Sequence, residues 1–151
     1  MTQEFPYILL ADDDPDDRTF FSAGMQRVYP QVKVRTFQDG DHLLEYLNHC
    51  PPAELPGCVV LDYKMPQLAA PQFLQATGPG TRYAQIPKIV WSTSQRKKDI
   101  DECLSLGARR FVIKPVTDRE LDALLTSLEG LIVRSVGPGT PSNYSQAGSG
   151  R

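Results

Sequence analysis

The stretch Cys58–Asp62, with the letters CVVLD, decides how the rest of the chain is interpreted. Its four apolar residues are too few for a helix, and such a run is typical of a strand buried on both faces of a parallel sheet. The aspartate at its last position, Asp62, is unexpected in a buried strand. The carboxyl ends of such strands are where open α/β sheets bind ligands. We therefore take Asp62 as the candidate functional residue.

Four further segments of strand length alternate with helical patterns along the chain. These strands are predicted at Tyr7–Ala11, 32–37, 86–91 and Arg110–Ile113. The segment 32–37 alternates apolar and polar residues, which is typical of a strand with one exposed face at a sheet edge. A strand followed by a helix, repeated five times, predicts an α/β fold. The sheet should be parallel, with right-handed crossovers and helices on both faces.

Helix termini explain several acidic residues near the first strand. Asp14 precedes a proline and is the predicted N-cap of the first helix, and Asp16 and Asp17 fall in its first turn. Asp12 and Asp13 have no such explanation, because they precede the cap and lie at the tip of the first strand.

Two later helices also carry end signals. Thr117 and Glu120 form a predicted capping box for the last helix, whose leucine pattern extends to Ile132. Gly107 is predicted as the C-cap of the helix before the fifth strand.

Length and composition exclude several classes of protein. The 151 residues fit one domain, and a net charge of −2 gives no basic face for nucleic acid or acidic lipid. The chain has neither an N-terminal signal pattern nor an apolar run of membrane-spanning length, so we expect a cytoplasmic protein without membrane contact. Its three cysteines lack the spacing of a zinc site and their odd number argues against a disulfide framework. Residues 135–151 are polar and rich in glycine, and we expect a disordered tail.

Five polar residues follow the ends of four predicted strands: Asp12 and Asp13, Asp62, Ser92, and Lys114. All should lie on one rim of the sheet. Carboxylates about 5 Å apart repel by roughly 3 kcal/mol per pair at an effective dielectric constant of 20. A lysine and a divalent cation can balance this charge, and hard oxygen ligands favour Mg²⁺ over zinc.

These motifs resemble the response-regulator receiver domains of two-component signalling. The resemblance covers about residues 5–134, which we take as the domain. It rests on the acid pair in 10–15 (LADDDP), the strand 60–66 (VLDYKMP), the hydroxyl segment 87–93 (PKIVWST), and Gly107 and Ala108 before 111–115 (FVIKP). It implies the flavodoxin-like, doubly wound (βα)5 fold with strand order 2-1-3-4-5.

The resemblance also implies roles for individual residues. Asp62 matches the phosphoacceptor, and Asp12 and Asp13 match the acids that bind Mg²⁺, which Mn²⁺ can replace. The metal ligands are then Asp12, Asp13, Asp62 and the backbone carbonyl of Lys64. Ser92 and Lys114 match the residues that contact the phosphoryl group. Phe111 matches the aromatic residue whose rotamer follows phosphorylation.

Some positions around the expected site need a choice or depart from the family pattern. Ser92, Thr93 and Ser94 are all hydroxyl residues, and we choose Ser92 because the apolar strand stops there and its spacing matches the family. Lys64 and Thr93 match positions that tune dephosphorylation. Residues 69–71 (AAP) replace the usual acid and glycine, so we expect the third helix to begin differently. The peptide that matches Lys114–Pro115 is cis in many relatives.

The resemblance implies a single-domain response regulator rather than a metabolic enzyme. Its expected partners are a sensor histidine kinase, of which phytochrome-type kinases are one class, or a histidine-containing phosphotransfer protein. The output is expected through a target protein or self-association at the fourth helix, fifth strand and fifth helix. A haloacid-dehalogenase-type phosphatase is one alternative, since Asp12 and Asp14 fit its D-x-D pattern. A pseudo-receiver that serves only as a docking module is the other.

Overall fold

The computed structural model describes residues 6–133. The strands are β1 (Tyr7–Ala11), β2 (Lys33–Phe37), β3 (Cys58–Asp62), β4 (Lys88–Ser92) and β5 (Arg110–Ile113). The helices are α1 (Pro15–Val28), α2 (Gly40–Asn48), α3 (Ala70–Ala76), α4 (Lys97–Ser105), α5 (Asp118–Ser127) and α6 (Glu129–Ile132), and a 3₁₀ turn spans Pro52–Glu54. The predicted tail, 135–151, lies outside the described residues, as do the two ends of the predicted domain.

All five strands form one parallel sheet in the order β2-β1-β3-β4-β5, which confirms the predicted fold class. Strands β3 and β4 are buried along their whole length, as their apolar sequences indicate. Strand β2 is at an edge and only partly buried, in agreement with its alternating pattern. The carboxyl ends of β1, β3, β4 and β5 therefore open onto one rim.

Two apolar clusters cover the two faces of the sheet. Because side chains alternate along a strand, Val59 and Leu61 point into one cluster and Cys58 and Val60 into the other. The first cluster is completed by residues of α2, α3 and α4, and the second by residues of α1 and α5. Each large side chain buried in this way contributes about 2 kcal/mol of transfer free energy. The two clusters hold the rim residues on a rigid support.

The predicted helix starts are confirmed at α1 and α5. The Asp14 side chain accepts a hydrogen bond from the backbone N–H of Asp16 at 2.8 Å. Thr117 and Glu120 form the reciprocal capping box. Gly107 differs slightly from its prediction, because Leu106 is the C-cap of α4 and Gly107 follows it with a φ of +108°.

Some element boundaries differ from the predicted ones: β2 begins at Lys33 rather than at residue 32, and β4 ends at Ser92 rather than at residue 91. Strand β4 begins at Lys88 rather than at residue 86, because Pro87 has no N–H to donate to a neighbouring strand. The last helix is divided at Leu128 into α5 and α6 rather than continuous to Ile132. A glycine at position 130 and a serine at 127 lower the helix propensity there.

The remaining sequence expectations concern cysteines and membranes. Cys50, Cys58 and Cys103 are all buried free thiols, as predicted. Among the helices of residues 6–133, none combines the length and the apolar character that crossing a membrane requires.

Candidate metal and phosphoryl site

Three aspartates meet at the carboxyl ends of two neighbouring strands. Ala11 in β1 is opposite Leu61 in β3, so the residues that follow them, Asp12 and Asp62, lie side by side. One carboxylate oxygen from each of Asp12, Asp13 and Asp62 lies within 4.8 Å of the other two. Asp12 and Asp62 are buried, whereas Asp13 is exposed at the rim. The predicted convergence of these carboxylates is confirmed in the described residues.

Lys114 reaches this cluster from the end of β5. Its Nζ lies 2.8 Å from Oδ2 of Asp12 and 3.3 Å from Oδ2 of Asp62. A third carboxylate, Asp17 in the first turn of α1, lies 2.7 Å from the same nitrogen. One largely buried ammonium group therefore contacts three carboxylates.

The peptide between Lys114 and Pro115 is trans, unlike the cis peptide of many relatives.

The electrostatics of the cluster show an excess of negative charge. Burial, followed by the charge of Asp12, raises the pKa of Asp62 to about 6. Burial also raises the pKa of Asp12, although hydrogen bonds from Lys114 and the Asp14 amide oppose this rise. Burial alone would lower the pKa of Lys114, but its hydrogen bonds to Asp12 and Asp17 raise that pKa overall. Charges arranged in this way favour a bound cation.

The donor set fits a small, hard divalent cation. All three candidate ligands are carboxylates, which suit Mg²⁺ or Mn²⁺ better than the thiolates and imidazoles that zinc prefers. Asp13 is exposed, so the site borders solvent and can keep water ligands. The backbone of Lys64 follows β3 at the same rim, and its side chain is exposed. Lys64 and Asp13 both line an open groove of about 560 Å³ beside the cluster.

Asp12 has a further partner that sequence analysis missed. The indole Nε1 of Trp91 donates a hydrogen bond of 3.1 Å to Oδ2 of Asp12. The backbone N–H of Asp14 donates to Oδ1 at 2.9 Å, and the Arg18 guanidinium donates to the main-chain carbonyl of Asp12 at 2.7 Å. The signal that could have revealed Trp91 is its place at the rim, because a buried indole N–H requires an acceptor.

The three hydroxyl residues after Trp91 occupy different environments. Ser92 is buried at the end of β4, and its Oγ accepts a hydrogen bond of 3.0 Å from the backbone N–H of Ser94. Thr93 is exposed. Ser94 donates its own hydroxyl to Oδ2 of Asp99 at 3.0 Å. Ser92 is thus the hydroxyl held at the rim, while Ser94 contacts α4.

Phe111 lies on β5 beside Tyr63, the residue that follows Asp62. The two ring centroids are 6.2 Å apart with an interplanar angle of 53°, and Phe111 is half-buried. The Tyr63 hydroxyl donates to Oδ1 of Asp99 at 3.0 Å. Burial, followed by this hydrogen bond, raises the pKa of Tyr63 to about 12. These contacts link the residue next to Asp62 with α4 and β5.

The loop from β3 to α3 shows the departure from the family pattern. Gln67 has a φ of +72°, which is the left-handed conformation that usually favours glycine. Helix α3 begins at Ala70 after Ala69, whose side chain cannot cap it. The entry to α3 therefore lacks a side-chain cap.

Comparisons with known proteins agree with this architecture. The family model described as "Response regulator receiver domain" matches residues 8–126. A rice protein named two-component response regulator ORR5 (Oryza sativa subsp. japonica) is 28% identical over 119 residues, which cover 79% of this chain and 85% of that protein.

Two solved structures are also similar. One is response regulator RPA3017 "in red light signaling of R. palustris", with a TM-score of 0.74, 25% identity, and coverage of 82% of this chain and 91% of that chain. The other is the bacteriophytochrome response regulator AtBRR, with a TM-score of 0.72, 26% identity, and coverage of 88% of this chain and 96% of that chain.

Proposed function

Because this chain belongs to the response regulator receiver domain family, we propose that it is a phosphorylation switch whose phosphoacceptor is Asp62. One observation carries the proposal. Carboxylate oxygens of Asp12, Asp13 and Asp62 lie within 4.8 Å of one another at the rim, and Lys114 contacts two of the three residues. Phosphoryl transfer requires mainly positioning and neutralisation of charge, which this arrangement provides.

Asp62 is a better acceptor than Asp12. Both oxygens of Asp12 already accept hydrogen bonds, and the residue is fully buried. Asp62 contacts Lys114 at the longer distance of 3.3 Å and keeps a small exposed fraction of 6%. The charge of Lys114 opposes the rise in the pKa of Asp62 and so favours the ionised form that a nucleophile requires.

The proposed step is transfer from a phosphohistidine. The P–N bond of the donor breaks, its electron pair stays on the imidazole, and a carboxylate oxygen of Asp62 forms the new P–O bond. Lys114 offsets the negative charge that gathers beside Asp62, and Ser92 offers a hydroxyl donor to a phosphoryl oxygen. The carboxylates of Asp12, Asp13 and Asp62 and the Lys64 carbonyl would hold Mg²⁺ or Mn²⁺, which supplies positive charge to the phosphoryl oxygens when bound.

The signal would pass from Ser92 to the surface of α4 and β5. Ser92 Oγ accepts the Ser94 amide and keeps its own O–H to donate, so movement of Ser92 toward a phosphoryl group on Asp62 would carry Ser94 with it. Because Ser94 also contacts Asp99, the loop before α4 would move with it. Movement of the loop would leave space for Phe111 to change rotamer. Lys64 and Thr93, both exposed beside the site, would then set how fast water removes the phosphoryl group.

The proposed partners are two kinds of protein. The donor is a sensor histidine kinase or a histidine-containing phosphotransfer protein. A phytochrome-type kinase is one class to test, because two of the similar solved structures are a red-light and a bacteriophytochrome response regulator. The output partner is a target protein or a second copy of the chain. Exposed apolar side chains support docking at α4, β5 and the start of α5, namely Leu104, Ile113 and Val116.

Intact-mass spectrometry after incubation with phosphoramidate and Mg²⁺ tests the acceptor. The wild-type chain should gain one phosphoryl group, and Asp62→Asn should gain none. Asp13→Asn should be labelled more slowly, because it keeps the acceptor and loses a metal ligand. Asp16→Asn is the matched control, since this exposed acid lies outside the cluster and its loss should not change labelling. A phosphoryl adduct on Asp62→Asn would refute the assignment.

The same samples discriminate the alternatives. A haloacid-dehalogenase-type phosphatase would hydrolyse p-nitrophenyl phosphate repeatedly, whereas the proposed switch should only label itself and then lose the label slowly. Asp14, the second acid of the D-x-D pattern, accepts the Asp16 amide as the cap of α1, which argues against a catalytic role. A pseudo-receiver would not be labelled at all.

A further inference from the structure

Trp91 is the single tryptophan of the chain, and it lies beside the candidate site. It is 1% exposed and pairs in register with Asp62 across β3 and β4. Its indole N–H donates to Oδ2 of Asp12 at 3.1 Å. The apolar strand thus contributes a polar atom to the acidic cluster.

The indole ring is fixed by contacts on more than one side. Phe21 of α1 packs against it with ring centroids 5.1 Å apart and an interplanar angle of 72°. The Nζ of Lys114 lies 5.3 Å from the centroid of the Trp91 ring, at a distance typical of a cation–π contact. A ring held in this way has little freedom to move its N–H away from Asp12.

These contacts leave the Asp12 carboxylate little rotational freedom. Its Oδ2 accepts from Trp91 and lies 2.8 Å from Lys114, so both lone pairs of that oxygen have partners. Its Oδ1 accepts the backbone N–H of Asp14 and retains one lone pair. Oδ1 is therefore the oxygen with capacity left for a cation.

We propose that Trp91 is a positioning residue for the divalent cation, because its indole N–H holds the Asp12 carboxylate with Oδ1 available as the ligand. The inference rests on the proposed function, in which Asp12 binds the metal. Groups that orient metal ligands commonly change metal affinity by 10- to 100-fold. A merely structural tryptophan would affect folding but not metal affinity.

Replacement of the indole N–H by sulfur tests this role at a single atom. A tryptophan-auxotrophic host can incorporate β-(3-benzothienyl)alanine at position 91 alone, because the chain has one tryptophan. Free Mn²⁺ is then measured by electron paramagnetic resonance in a titration of each protein, with Mg²⁺ as competitor. The dissociation constant for Mn²⁺ should rise about tenfold. An unchanged constant would overturn the inference.

Two substitutions separate hydrogen bonding from packing. Trp91→Phe also removes the N–H and should weaken Mn²⁺ binding in the same direction, so the test does not depend on the analogue. Phe21→Leu loosens the packing of the ring and keeps the N–H, and it should change the constant much less. Equal weakening by Phe21→Leu would assign the effect to packing and refute the inference.

The phosphorylation rate provides a second readout. In the N–H-deficient protein, the Mg²⁺ concentration for half-maximal labelling by phosphoramidate should rise, while the rate at saturating Mg²⁺ should change little. If the wild-type chain binds no Mn²⁺, the proposed function fails together with this inference. If wild type and analogue bind Mn²⁺ equally and both become labelled, only the role of Trp91 fails.

Discussion

The hydroxyl of Tyr63 donates a hydrogen bond of 3.0 Å to Oδ1 of Asp99, and this bond ties the residue after Asp62 to the first turn of α4. Asp99 is buried and also accepts hydrogen bonds from Ser94 at 3.0 Å and from Arg96 at 3.1 Å. The hydrogen bond from Arg96 is the main reason that the pKa of Asp99 is lowered. A single carboxylate therefore joins two loops of the rim to α4.

Removal of the Tyr63 hydroxyl should loosen the start of α4. The substitution Tyr63→Phe keeps the ring beside Phe111 and deletes one of the donors to Asp99. Hydrogen exchange of the backbone amides at 100–103, the first in α4 with intrahelical hydrogen bonds, should become faster, with only a small loss of global stability, because Ser94 and Arg96 still hold Asp99.

A matched hydroxyl deletion controls this experiment. Tyr83→Phe removes a hydrogen bond to Asn48 at the end of α2 and should leave exchange at 100–103 unchanged. The coupling between Tyr63 and α4 is refuted if the two variants show the same exchange rates in that segment.

Loss of Lys114 should destabilise the metal-free protein. In Lys114→Met, Asp12 and Asp62 remain buried together without their ammonium partner, which should lower the free energy of unfolding by about 3 kcal/mol. Urea denaturation in EDTA measures this change. Added Mg²⁺ should recover more stability in the variant than in wild type, because the cation then provides most of the neutralising charge.

An exposed ion pair serves as the comparison for Lys114. Lys97→Met breaks the pair with Asp101, in which the two side chains are 88% and 58% exposed, and it should hardly change stability. Equal stability of Lys114→Met and wild type without metal would show that the buried carboxylates do not need the ammonium group.

The adjacency of the acids could be predicted from sequence, whereas the complete network could not. Asp12 and Asp62 follow apolar strands, and the carboxyl ends of neighbouring parallel strands must meet. Asp17 was assigned only to the first turn of α1, and that local explanation concealed its contact with Lys114. The hydrogen bond of Trp91 depends on a side-chain rotamer, which strand periodicity does not determine.

Some features of the fold could be predicted from the residues alone, and others could not. The repeated strand–helix order was sufficient for a parallel sheet with helices on both faces, but the strand order 2-1-3-4-5 came from the family resemblance. The hydrogen bond between Tyr63 and Asp99 joins residues 36 positions apart and depends on how α4 is seated, which local patterns do not specify. The division of the last helix at Leu128 could not be predicted either, because the leucine pattern continues across it.

The imidazole of His42 should make stability depend on pH near neutrality. Its Nδ1 lies 2.8 Å and 2.9 Å from the two carboxylate oxygens of Asp39, and this hydrogen bonding raises the pKa of His42 above 6.5. The folded state thus binds the proton more tightly than the unfolded state. The stabilisation is fully present below pH 6.5 and is lost as the pH rises through the folded-state pKa.

The unfolding free energy of His42→Gln, measured from pH 5.5 to 8.5, tests this dependence. The difference from wild type should be largest at the acidic end and should shrink as the pH rises. His49→Gln is the control, because it keeps His42 and its contact with Asp39 and so should retain the pH dependence that this pair provides. A constant difference between wild type and His42→Gln across the range would contradict the assignment.

The end of α4 should require glycine at position 107. Gly107 has a φ of +108°, which side-chain-bearing residues rarely adopt, and an added Cβ would meet nothing within 4 Å. Any cost of Gly107→Ala must therefore come from the backbone, and we expect the free energy of unfolding to fall by about 1–2 kcal/mol.

Gly130→Ala is the matched control, because a Cβ there also meets nothing within 4 Å and its φ lies outside the positive range. Thermal or urea denaturation should show Gly130→Ala as stable as wild type or slightly more stable, since alanine favours the helix. Similar losses in both variants would mean that the positive φ of Gly107 is not the cause.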